Sequence, residues 1–200
     1  MIRVLILIVL MLPLAGCFSL FPGLPSGTNQ DLGRLERAVD INPKNEHAWF
    51  LMGKAMLEQD KPGDAADAFE EAIAITPQFK EARLGLGVAF LQQDKWSKAA
   101  QTYEALTRDD PRSVSAWVGL GAARLGQNDL TGTEAAARQA LAINPDSYRA
   151  HRLLGEVAYI RGDYGTAVAQ WRLASDAGGA QSELMPIIED LEGYLREYGD

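Results

Sequence analysis

Cysteine is nearly absent from the chain: Cys17 is the only one in 200 residues. A single cysteine excludes an internal disulfide, so its presence asks for another reason. Histidine is scarce as well. His47 and His151 stand far apart, with no cysteine or carboxylate cluster at ligand spacing, so no metal site is expected. An excess of basic charge is also missing, since 19 Lys and Arg against 27 Asp and Glu give −8 at pH 7. Electrostatic nucleic-acid binding needs a basic face, so that class is set aside, and the acidic surface is read as solubilising. The apolar run near the amino terminus, Val4 to Leu12, has nine residues. A bilayer span takes about 20, so this run is too short to cross one. What remains is ordinary for a folded domain, 47% apolar and 23% charged, which argues against wholesale disorder.

What the chain has in place of these is a period. Pro43, Pro77, Pro111 and Pro145 are spaced by 34 residues, and Gly53, Gly87, Gly121 and Gly155 recur in the same phase. Self-similarity at 20–50 residues marks a repeat architecture, in which each unit is one supersecondary element. Each unit divides into two helices of about 14 residues at a polar break: Gln59-Asp60-Lys61-Pro62, Gln93-Asp94-Lys95, Gln127-Asn128-Asp129 and Arg161-Gly162-Asp163. The Asp and Asn residues of the breaks are expected to cap the following helix, and Pro62 suits a first turn.

Within residues 46–79, Trp49, Gly53, Ala65, Phe69, Ala72 and Pro77 match the tetratricopeptide pattern, with Met52 and Met56 where Leu and Tyr are usual. The chain resembles the tetratricopeptide repeat (TPR) family. The resemblance implies an all-α fold, a right-handed superhelix of stacked helix pairs. Its units are 46–79, 80–113, 114–147 and 148–181, preceded by a capping half-repeat helix over 29–45. The second unit keeps Leu86-Gly87, Phe90, Ala99, Tyr103 and Pro111, and the fourth keeps Leu154-Gly155, Ala167, Trp171 and Ala174. The third keeps Trp117, Leu120-Gly121, Ala140 and Pro145, but has Thr133, Ala137 and Arg124 where Ala, Phe and an aromatic are expected. Thinner packing is expected there. Residues 182–200 carry an apolar stripe of Ile187, Ile188, Leu191, Tyr194, Leu195 and Tyr198, which suits a carboxy-terminal cap or a partner-binding amphipathic helix.

The amino terminus is a different kind of segment. Arg3 and the nine-residue run have the lengths of a signal n-region and h-region, and Leu14-Ala15-Gly16-Cys17 follows Pro13. This resembles a bacterial lipoprotein signal. The resemblance implies a signal peptide over 1–16, cleavage between Gly16 and Cys17, and acyl chains such as palmitate on Cys17. Several chains, at about 0.8 kcal/mol per buried methylene, anchor stably where one does not. Residues 17–28, rich in Pro, Gly and Ser, form a linker reaching ~35 Å if extended. Its Phe18, Leu20, Phe21 and Leu24 either touch the lipid interface or pack back on the first helix. Phe18 after the lipidated cysteine implies the periplasmic face of the outer membrane.

No catalytic site, cofactor or small-molecule substrate is expected. Gly85-Leu-Gly87 and Gly119-Leu-Gly121 recur at one repeat phase inside helices, so they are read as packing glycines. Trp49 and Trp117 share one core position, Trp171 takes the aromatic core position, and Trp96 is left over. In the resembling family a concave groove is lined by first helices. Among the positions carried over, which also include His47, Leu57, Glu81, Ser115, Ala122, Glu156 and Tyr159, the candidate binding residues are Phe50, Lys54, Leu84, Val88, Leu91, Val118, Leu125, Arg149 and Arg152. Several of these apolar positions equally suit packing on neighbouring helices. Arg149 and Arg152, one turn apart, suit an acidic group, and Arg152 equally suits a pair with Glu156. The clamp that some relatives use for chaperone tails needs Lys and Asn where Phe50 and Lys54 stand, so that specificity is not implied. The resemblance implies a lipid-anchored scaffold that binds a protein segment, similar to pilus-assembly lipoproteins of the tight-adherence or type IV systems. The alternatives are an adaptor for peptidoglycan hydrolases or for outer-membrane protein assembly and, remotely, an enzyme.

Overall fold

Each proline of the 34-residue series stops a helix two residues after its last turn. A computed structural model describes residues 29–179 and 181–198, with ten helices and no strand among them. Helix α1 (Asn29–Ile41) ends before Pro43, α3 (Pro62–Ile75) before Pro77, α5 (Trp96–Asp109) before Pro111 and α7 (Leu130–Ile143) before Pro145. Proline disfavours helical backbone in the residue before it. Asn42, Asp110 and Asn144, each in that place, turn the chain with a side-chain oxygen. They accept from the N–H of Lys44, Arg112 and Asp146 at 3.1–3.3 Å. The remaining helices are α2 (Glu46–Glu58), α4 (Lys80–Gln92), α6 (Val114–Gly126), α8 (Tyr148–Ile160), α9 (Tyr164–Asp176) and α10 (Gln181–Tyr198).

The turn inside each repeat meets the capping expectation only in part. Asp60, Asp94 and Asn128 do not cap the next helix; they hold left-handed backbone, with φ of 57°, 54° and 61°. Gly162 stands at the same phase with φ of 81°. Lys61 N–H donates to Met56 O at 2.9 Å and Asp60 N–H to Leu57 O at 3.1 Å, a Schellman closure that satisfies orphan carbonyls of α2. Asn128-Asp129 and Gly162-Asp163 close α6 and α8 in the same way. Capping falls, as expected, to the Asp residues that close the third and fourth breaks. Asp129 accepts from Gly132 N–H at 2.9 Å and Asp163 from Thr166 N–H at 3.1 Å, whereas Lys61 and Lys95 give no side-chain cap. Pro62 does open α3.

The chain divides into two compact units, residues up to 93 and residues from 94. In the first, α2 and α3 pair, and α1 and α4 flank them. Val39, Ala48, Met52 and Ala68 form one buried cluster with Leu32, Leu35, Trp49 and Met56 against it. Phe69 of α3 is fully buried between two glycines. A methyl group on Gly53 would come within 2.8 Å of its ring, and one on Gly85 within 2.5 Å. Only glycine permits this approach, and removing the ring should cost on the order of 3–5 kcal/mol.

In the second unit α6 pairs with α7 and α8 with α9, while α5 packs on α6 and α10 on α9. The ring of Tyr103 lies against Gly119, where a methyl group would meet it at 2.4 Å, and Trp171 lies against Gly155. The third repeat is not thinly packed. Thr133 is fully buried, and its hydroxyl donates to Asp129 O at 2.8 Å, so the methyl of a threonine fits where alanine is usual. Ala137 is fully buried too, and Leu153 from α8 reaches Gly121 in that region. Arg124 uses its charge in place of aromatic bulk, pairing with Glu104 at 3.1 Å. Helix α10 buries Leu184, Ile188 and Leu191 against α8 and α9 residues and turns Glu189, Asp190 and Glu197 to solvent, as a cap must.

Candidate functional site

The face that repeat register assigns to a partner is carried by α2 and α4 in the first unit and by α6 and α8 in the second. Phe50, Lys54, Val88, Leu91 and Val118 are all buried, with exposures between 1% and 9%. As presented surface these five are corrected: they lie beneath the face. For Phe50 the reason is aromatic crowding, since its ring centroid lies 6.0 Å from Phe69, 5.1 Å from Phe79 and 5.9 Å from His47. Lys54 extends over Phe50 with its ammonium 5.2 Å from the ring centroid, a cation–π contact. Burial pulls its pKa below the usual lysine value, and the Glu58 carboxylate one turn on opposes that shift. Leu84 remains half-buried on α4.

In the second unit Leu125, Arg149 and Arg152 are half-buried, as are Ser115, Ala122, Glu156 and Tyr159 on the same helices. Arg152 pairs with Glu156 at 2.9 Å, the internal pair that the i,i+4 spacing allows. Arg149 donates to the Tyr148 hydroxyl at 2.9 Å, and its guanidinium lies 5.2 Å from that ring centroid. Within the second unit these residues are a mixed polar and apolar set. Gly16 and Cys17 lie outside the described residues.

The histidines and tryptophans serve structure. Trp49 and Trp117 are half-buried, and their indole N–H groups donate to Pro43 O and Pro111 O, each at 2.9 Å. His151 holds the same phase, with Nε2 2.9 Å from Pro145 O and Nδ1 2.9 Å from Gln170. Three repeats thus tie their first helix to the preceding turn through one ring nitrogen. Trp96 is not left over either, because its indole covers Gly126, where a methyl group would come within 2.3 Å. His47 stacks on Phe79 at 5.9 Å and 8°. Among the described residues no three His, Cys, Asp or Glu side chains group as a metal site, and no helix is long and apolar enough to cross a membrane.

One feature was not read from the sequence. Tyr159, Tyr164, Tyr194 and Tyr198 form a continuous ladder, with neighbouring ring centroids 5.5, 5.9 and 5.3 Å apart. Trp171 closes its inner end, 5.6 Å from Tyr159, and Tyr198 ends it at 64% exposure. Burial and the neighbouring Tyr164 raise the Tyr159 pKa. Its signal was compositional, since five of the six tyrosines lie beyond residue 147.

A stack of helix pairs closed by small-to-aromatic contacts defines an αα-repeat protein, the class whose members present surfaces to other proteins. Two tetratricopeptide repeat models match, one over residues 56–123 and the other over 32–78 and 124–182. The chain belongs to the tetratricopeptide repeat family. No curated protein matches it significantly. Solved structures of the same fold include MamA from Desulfovibrio magneticus, 20% identical over 74% of this chain and 83% of that one, TM-score 0.66. A thermophilic TPR protein of Thermus thermophilus is 20% identical over 80% of this chain and 88% of that one, TM-score 0.68. The APC/C hetero-tetramer Cut9–Hcn1 matches at 18% identity over 86% of this chain and 34% of that one, TM-score 0.74. At these identities the likeness is one of fold.

Proposed function

We propose that the protein is a lipid-anchored scaffold of the cell envelope, tethered through Cys17 and holding a segment of a partner protein during assembly of a pilus or secretion machine. The observation that carries the tether is Leu14-Ala15-Gly16-Cys17, placed directly after a nine-residue apolar run and containing the sole cysteine. A cysteine bearing a diacylglycerol on its sulfur and an acyl chain on its amino group, followed by the Pro-, Gly- and Ser-rich segment 17–28, holds the helical units near a bilayer, on the periplasmic face of the outer membrane. Partner capture is supported by the family's character as a protein-interaction fold. It is supported also by half-buried Leu84 in the first unit and by Leu125, Arg149 and Arg152 in the second.

The test has two arms. Cys17→Ala should leave a folded helical protein that no longer partitions with membranes or carries acyl mass; membrane retention without acylation would sink the tether. Crosslinking and pull-down from native membranes should recover pilin, secretin or secretion-ATPase components, and Leu84→Glu with Leu125→Glu should abolish that recovery while helical circular dichroism persists. Recovery of peptidoglycan hydrolases or outer-membrane insertion factors instead would redirect the assignment within the envelope.

A further inference from the structure

The tyrosine ladder lies at the carboxy-terminal end of the second unit, on a set of residues other than Leu84, Leu125, Arg149 and Arg152. It grows toward solvent, from Trp171, which is buried, through half-buried Tyr159, Tyr164 and Tyr194 to exposed Tyr198. A cap needs only its inner apolar stripe, which Leu184, Ile188 and Leu191 already supply. Tyr159 and Tyr164 pack against that cluster, whereas Tyr194 and Tyr198 on the cap lie outside it and exceed the requirement.

Their spacing and surroundings define an occupant. Successive centroids lie 5.3–5.9 Å apart, with Tyr164 and Tyr194 edge-on at 87°. These steps limit alternate rings to at most about 11 Å apart, a span that accommodates the ~9 Å repeat of a polyproline II helix. Aromatic-lined ridges recognise that helix because its rings stack without loss of chain entropy. Exposed carboxylates flank the ladder: Asp163 beside Tyr164, Asp190 one turn before Tyr194 and Glu197 one turn after it. Glu197 accepts from the Tyr198 hydroxyl at 2.8 Å. Of the nearby cations, Arg161 pairs with Glu134 at 2.7 Å and Arg172 with Glu192 at 2.8 Å, and exposed Arg196, between Tyr194 and Tyr198, donates to Glu192 O at 3.4 Å, so carboxylates outnumber cations along the ladder. The ladder is therefore an aromatic track with an anionic border. We infer that the Tyr159–Tyr164–Tyr194–Tyr198 track docks a proline-rich extended segment of a partner protein that carries flanking Lys or Arg.

The experiment is titration of the full chain, in detergent if lipidated, with a ten-residue proline- and leucine-rich peptide bearing two terminal arginines. Tyrosine and Trp171 fluorescence and NMR shifts provide the readout. Saturable binding is expected, weakened at least tenfold by Tyr194→Ala with Tyr198→Ala and several-fold by Asp190→Lys with Glu197→Lys or by raised salt. The two tyrosines lie outside the buried cluster, and helical circular dichroism verifies that the variants fold. Absence of saturation below millimolar peptide, or binding indifferent to both double variants, overturns the inference. An uncharged peptide of residues 18–28, with prolines at 22 and 25, tests the chain's own linker as occupant. Tighter binding of that peptide would overturn the assignment to a basic partner. Loss of ladder binding leaves membrane anchoring and capture at Leu84 and Leu125 unaffected, so the two readings fail separately.

Discussion

Ala137 and Leu153 are a matched pair: both are buried in one cluster, Ala137 is the one small residue at its repeat phase, and Leu153 (like Leu51 in the first repeat) stands where the two middle units have glycine. The phase of Ala137 holds Phe69 and Tyr103 in earlier repeats, and that of Leu153 holds Gly85 and Gly119. Where the aromatic ring is lost, the glycine it needed is replaced by a leucine. Restoring the ring alone, Ala137→Phe, should overpack the site and cost about 1–3 kcal/mol. Leu153→Gly alone should leave a cavity and cost at least as much as the ~2–5 kcal/mol of a leucine truncated to alanine. The double variant should recover much of both losses, read as a favourable coupling energy in urea denaturation. Simple additivity would refute the pairing.

The left-handed phase at residues 60, 94, 128 and 162 makes a second prediction. Gly162→Ala should lower stability by about 1 kcal/mol, because a Cβ is disfavoured at that φ. Asn128→Gly should change stability by less, since asparagine tolerates this conformation and glycine adds unfolded-state entropy. Thermal melts compare the two directly.

Glu134 of α7 bridges Arg161 at 2.7 Å and Arg138 at 2.6 Å, and the hydrogen bond from Arg161 first, then both positive charges, hold its pKa below the ordinary glutamate value. A carboxyl whose pKa is lowered by folding stabilises above its unfolded value of about 4.3, and that contribution is lost as pH falls through the folded value. Glu134→Gln should therefore flatten the stability profile below about pH 4.3. An acid limb as steep as in the parent would show that the pair contributes nothing.

Trp49→Phe and Trp117→Phe preserve the ring while deleting the bond to the preceding turn. Each should cost about 0.5–1.5 kcal/mol for the lost hydrogen bond, plus a smaller packing loss. Hydrogen exchange should rise first in the turns holding Pro43 and Pro111. If exchange rises uniformly instead, the indole nitrogen is not what secures them.

The repeat was legible because proline and glycine act through the backbone, so their phase survives any change of neighbours. Gly85 and Gly119 were correctly read as packing residues for the same reason. Surface was harder. Periodicity places Phe50, Val88 and Val118 on one face of a helix, but whether that face is covered depends on rings such as Phe79 that arrive from elsewhere in the chain. Of the Asp and Asn residues in the breaks, Asp129 and Asp163 cap as expected and Asp60, Asp94 and Asn128 do not, because Asp and Asn suit both an N-cap and a left-handed turn and sequence alone does not choose. The Leu153 exchange was visible in the 34-residue register once positions 137 and 153 were compared as a pair. The tyrosine ladder was not, since it joins three helices.

The paired sizes at these phases also give each interface an address. Phe69 accepts Gly85 and Tyr103 accepts Gly119, but neither ring has room for Leu153. Excising residues 114–147 would present Tyr103 to Leu153, so a chain shortened by one whole period should fold worse than its intact repeat pattern suggests. Units that look interchangeable in sequence are thereby locked into one serial order, which disfavours both out-of-register pairing during folding and casual shuffling of repeats.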